Sequence, residues 1–155
     1  KDAVLAYAYL LQDRAIDAAS ALQRATQQDD AGPALFLLHN QTLKALGQDG
    51  GQVLTRASAR QEMPEWIQAM LRARRKTELL SAAALAVDPD AAREERETAD
   101  CEASYYLGQA LRDLGQPEAD QHLHRSLRYR ARVCLEALLA GKALSGSDRN
   151  SLPVD

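Results

Sequence analysis

The chain has 155 residues, 46% of them apolar and weighted toward Ala and Leu, a balance that favours helix over strand and suffices for the core of one ordinary domain. A net charge of −3 and a pI near 5.6 exclude a general attraction to nucleic acid or anionic lipid. No apolar run approaches the ~20 residues of a membrane span, and two cysteines without metal-ligand spacing exclude a disulfide framework.

Lys1 rather than Met at the start predicts a truncated or processed chain, with any targeting segment lying outside it. Residues 1–30 read as a helix pair. Leu5, Ala6 and Tyr9 mark the first helix, and Ala18, Leu22 and Ala25 recur on one face of the second, with Asp13 as its expected N-cap. The run Asp29-Asp30-Ala31-Gly32-Pro33 breaks the pattern. A second pair covers 33–61: Pro33 to Leu46, closed by Gly47, then a shorter helix from Gln52 to Arg60 with Leu54 and Ala57 inside. A third covers 64–88. Trp66, Ile67, Met70 and Leu71 form its first inner face, Thr77 to Val87 its second helix, and Asp88-Pro89-Asp90 its stop.

The fourth pair spans 91–128, its charged start Ala91 to Asp100 extending the helix that carries Cys101 to Leu114. Gly115 closes that helix and Pro117 opens the next. A terminal helix is expected over 129–144, apolar at Val133, Leu135, Leu138 and Leu139, followed by a tail over 145–155.

Tyr105, Leu107-Gly108 and Leu111 fall where a tetratricopeptide (TPR) repeat places its small and apolar contacts; the signature is Trp-x2-Leu-Gly-x2-Tyr, Ala-x3-Phe and Pro over about 34 residues. Ala6 takes the Gly position of the first unit, and Ala6 and Gly108 lie 102 residues apart, three such periods. A glycine inside a helix costs roughly 0.5–1 kcal/mol, so close approach of a partner helix is its expected reason. Asp120 stands where the repeat has Ala and His124 where it has Phe. The predicted fold is all-α: about nine helices in antiparallel helix-turn-helix repeats, stacked as a right-handed α-solenoid. The first helix of each pair lines the concave side, and the expected partner-binding residues are Tyr7, Leu10, Glu102, Tyr105, Gln109 and Arg112.

The region Cys101–Leu144 resembles the C-terminal repeat of NlpI-type tetratricopeptide lipoproteins of Gram-negative bacteria, through Tyr105-Tyr106-Leu107-Gly108, Gly115 and Glu136-Ala137-Leu138-Leu139. The upstream order is similar too: Gln28-Asp29-Asp30, an aromatic helix after Pro33, then Trp66. The resemblance implies a non-catalytic periplasmic adaptor, anchored to the outer membrane by a lipid that this chain does not carry, dimeric, and scaffolding envelope hydrolases or a protease. Two other readings stay open: a repeat domain cut from a larger protein, such as a membrane-associated metallopeptidase or a regulator, and a secretion chaperone. Apart from the resemblance, a cytoplasmic setting is expected.

The chemical inventory adds little. His122 and His124 are two apart and so face away from each other; with His39 they are not expected to bind metal, His124 being read as partly buried and His122 as a surface residue. Glu94, Glu95 and Glu97, flanked by Arg93 and Arg96, read as a solvated face with helix-spaced ion pairs. The basic clusters Arg72-Arg74-Arg75-Lys76 and Arg125-Arg128-Arg130-Arg132 suit an acidic protein partner better than nucleic acid. Cys101 and Cys134 are 33 apart, and a bridge needs Cα atoms within roughly 7 Å where helix axes pack at about 8–10 Å, so it forms only if the last helix tilts in. No nucleophile elbow, phosphate loop or zinc motif is present, so the chain is expected to have no enzyme activity and no cofactor. The expected partner is a protein or peptide, with a homodimer as one assembly.

Overall fold

A computed structural model describes residues 1–150, with side chains through residue 146. Nine α-helices and no strand occur among the described residues: α1 (Asp2–Leu11), α2 (Ala15–Thr26), α3 (Ala34–Ala45), α4 (Gly51–Ser58), α5 (Glu65–Arg72), α6 (Lys76–Ala84), α7 (Arg93–Asp113), α8 (Ala119–Leu127) and α9 (Glu136–Asn150). The chain is therefore all-α. It divides into two compact units, Lys1–Leu85 and the remainder from Ala86.

In the first unit each helix packs on the next, and α3 also meets α5. The reason is in the spacing: Ala18, Ala21, Leu22 and Ala25 make a buried stripe on α2, and Phe36, Leu38, Val53, Ala57 and Ile67 are sealed from solvent beyond it. His39 is buried with them. Its Nδ1 lies 3.4 Å from Thr26 Oγ1 and 3.5 Å from Arg56 Nη2. Burial first, and the Arg56 charge second, push its pKa down to about 4.

The second unit is α7 with α8 and α9, all three in mutual contact. Gly108 explains how closely α7 and α8 approach. A Cβ built there would fall 2.7 Å from Leu123 Cγ and 3.1 Å from the Ala119 carbonyl oxygen.

Three helices end in the same way. Past α1, α3 and α7 the backbone turns left-handed at Asp13 (φ 60°), Gly47 (φ 72°) and Gly115 (φ 68°). At each, two N–H groups bond back to orphan carbonyls: Asp13 to Leu10 and Arg14 to Tyr9, Gly47 to Lys44 and Gln48 to Leu43, Gly115 to Arg112 and Gln116 to Leu111. Thirty-four residues separate Asp13 from Gly47, and twice that number separates Gly47 from Gly115. The intervening position, Ser81, lies inside α6, because the shorter α5 ends instead at an extended Ala73 (ψ 137°). There Arg74 donates to the carbonyls of Leu71 and Ala73.

Several expected boundaries move. Asp13 does not cap α2, whose N-cap is Arg14; it closes α1. The last helix starts at Glu136 rather than 129, because the stretch before it turns repeatedly, bringing Tyr129 to Asp100 and Cys134 to Cys101. That helix then runs through Ser145 to Asn150, where a tail was expected; the rest of the expected tail, 151–155, lies outside the described residues. His124 is exposed and His122 partly buried, the reverse of the expectation, since Leu123 between them takes the inward position.

Candidate interaction site

Helix α7 carries one stripe with two characters. At i, i+3, i+4 and i+7 spacing, Ser104, Leu107, Gly108 and Leu111 are buried. The same stripe one stage earlier reads Arg93, Arg96, Glu97 and Asp100, and there it opens into a cleft of about 320 Å³. Arg125 of α8, Tyr129, Ala86 and Val87 complete the lining. Asp100 is fully engaged: Arg125 grips it with both arms (Nη2–Oδ1 2.9 Å, Nε–Oδ2 3.1 Å), and the Tyr129 hydroxyl donates to Oδ2. Burial and that bond to Asp100 push the Tyr129 hydroxyl up to about 12. Arg93 Nε donates to Glu97 Oε1 at 2.9 Å. The Arg96 guanidinium has no acceptor among the described residues, only its backbone N–H being bonded, to the Ala92 carbonyl.

The opposite face of α7 meets α9. Tyr106 OH donates to Glu136 Oε1 at 2.8 Å, and Glu136 is buried at the first turn of α9. Glu102 lies near it, its carboxyl pushed up to about 8 by burial first and by the Glu136 charge second. A disulfide joins Cys101 to Cys134 with the Cα atoms 6.3 Å apart, and both residues are buried with Ala137 beside Tyr129. The state that the sequence left open is therefore the bridged one.

The six residues expected to meet a partner are divided between the two units. Tyr7 is buried and Leu10 partly exposed on α1. On α7, Tyr105 is buried and accepts a bond from Gln109 Nε2 at 3.2 Å. Arg112 pairs with Asp120 at 2.8 Å and donates through Nη1 to the Ala143 carbonyl at 3.1 Å. Glu102 near Glu136 and Arg112 at the Ala143 carbonyl place these two side chains beside α9. The cleft was legible only in part. The charges of Arg93, Arg96 and Glu97 read as a solvated face and Arg125 as one member of a basic cluster, but nothing local joined the two, and nothing pointed to Tyr129.

In the other basic cluster, on the exposed surface, Arg72 donates to Ser58 Oγ at 3.3 Å and Arg75 pairs with Glu78 at 2.7 Å. Among the described residues no three His, Cys, Asp or Glu gather as a metal site, and no helix is long and apolar enough to cross a membrane. No protein-family model, curated protein or solved structure matches the chain.

Proposed function

We propose that this chain is a non-catalytic interaction module, built of tetratricopeptide-type hairpins stacked as a right-handed solenoid, that holds a polypeptide partner. The observation that carries the reading is the shared left-handed helix ending at Asp13, Gly47 and Gly115, recurring at one and two multiples of thirty-four residues. A solenoid repeats the same turn at a fixed interval because each hairpin buries its face on its neighbour. The close approach at Gly108 supports the same reading. A bridged Cys101–Cys134 favours an oxidising compartment, in line with a periplasmic adaptor of the NlpI type.

The test is a display selection of random peptides on the immobilised chain, with an unrelated all-helical protein as control and calorimetry on the selected peptides. Peptides that bind this chain and compete with one another are expected. Enrichment no better than on the control would overturn the reading.

A further inference from the structure

We infer that the cleft on the first half of α7 is a subsite for the carboxylate of a Glu or Asp side chain on a bound polypeptide, with an apolar residue next to it resting on Val87. This deepens the polypeptide-binding reading above and rests on it.

The charge count leads there. Three cations, Arg93, Arg96 and Arg125, face two anions, Glu97 and Asp100. Asp100 already takes both arms of Arg125, and Glu97 takes Arg93. One positive charge is left, on Arg96, in a chain whose net charge is −3. Because Arg125 is held fork-on to Asp100, it cannot swing to cancel a ligand's charge without giving up that pair. Arg96 therefore supplies the binding charge, and Arg93, engaged through Nε, has its terminal nitrogens to add.

The same arrangement selects the class of anion. A phosphate dianion would bring about two negative charges against one surplus positive charge, with two carboxylates in the wall beside it. A carboxylate brings one. Nucleic acid is disfavoured for the same reason, since the wall would repel successive phosphates. Size agrees: about 320 Å³ holds one or two side chains. Val87 is 63% exposed at the rim, with Ala86 buried behind it, which gives a carboxylate's neighbour an apolar surface to cover.

The test uses the full chain and two acetylated, amidated pentapeptides with Leu-Glu-Leu or Leu-Gln-Leu at the centre, followed by amide NMR shifts. The glutamate peptide should move Val87, Arg96 and Tyr129 and bind about five-fold more tightly at low salt than the glutamine peptide. Arg96→Gln should remove that preference, Arg96→Lys should restore part of it, and Arg72→Gln should leave it intact. Arg96 is exposed, so these variants leave the core untouched. Equal binding of the two peptides, indifference to Arg96→Gln, or tighter occupancy by inorganic phosphate would each overturn the inference. If peptides from the display selection bind while the glutamate peptide does not, this subsite fails and the adaptor reading stands; if no peptide binds, both fall.

Discussion

Gly108 of α7 lies against Leu123 of α8 so closely that a single methyl group would collide with it, 2.7 Å from Cγ. Leu123 is fully buried and the third contact is the backbone oxygen of Ala119, so neither neighbour can give way cheaply. Alanine gains about 1 kcal/mol in helix propensity but overpacking costs about 1–3 kcal/mol. Gly108→Ala should therefore lower stability slightly, and Gly108→Leu by the upper part of that range or more. Urea melts of the two variants measure both, and an unchanged midpoint for Gly108→Leu would contradict the packing described.

Gly47 and Gly115 test the opposite case. An added Cβ would meet nothing within 4 Å at either, so only the left-handed backbone resists a side chain. Alanine at each should cost about 1–2 kcal/mol, and asparagine clearly less, because Asn tolerates this conformation. Asp13 already occupies the equivalent place in the first hairpin. If alanine and asparagine prove equal in thermal melts, strain is not what selects glycine there.

The Cys101–Cys134 bridge closes a loop of 33 residues, which by chain entropy contributes about 3–4 kcal/mol. Reduction with a dithiol, or a double Cys→Ala variant, should lower the hydrogen-exchange protection of α7 and α9 by that order. The only tryptophan, Trp66, is buried in the first unit and reports on that unit separately. Its fluorescence transition should stay in place, whereas a matching shift would mean that the units unfold together.

The two units should respond to pH in opposite directions. His39 has its pKa lowered from 6.5 to about 4, so the unfolded chain binds the proton first. The stability this contributes is complete above pH 6.5 and is lost as pH falls toward 4, up to about 2–3 kcal/mol. Glu102 is raised from 4.5 to about 8, so the folded state holds the extra proton. Its contribution is complete below pH 4.5 and is lost as pH rises through 8. Trp66 fluorescence should show the first unit weakening in acid. Exchange in α7, corrected for intrinsic rates, should show the second weakening as pH rises from about 4.5 to about 8 and levelling off beyond it, and Glu102→Gln should flatten that profile. A slope of the same sign in both would contradict the assignment.

What could be read from the residues was local. Ala18, Leu22 and Ala25 announce a buried helix face whatever covers it, and Gly47 and Gly115 announce left-handed ends. Asp13 was misread because a short acid suits either an N-cap or a left-handed turn, and only the bonds of Arg14 to Tyr9 and Asp13 to Leu10 distinguish them. Tyr105 and Arg112 carry aromatic and charged character along one helix, and only the folded chain shows that Tyr105 accepts from Gln109 and that Arg112 reaches Asp120 and the Ala143 carbonyl.

Periodicity, turn chemistry and the cost of a bare glycine are properties of neighbouring residues, so the residues alone establish that the chain is helical, where most of its helices fall, and that something must come very near Gly108. That α9 lies along α7, that Cys101 meets Cys134, and that Arg96 is left with the surplus charge emerges only once the chain is folded. Those outcomes depend on which of several apolar faces are brought together across 25 or more residues, as Arg125 and Asp100 are, and no local pattern encodes that choice.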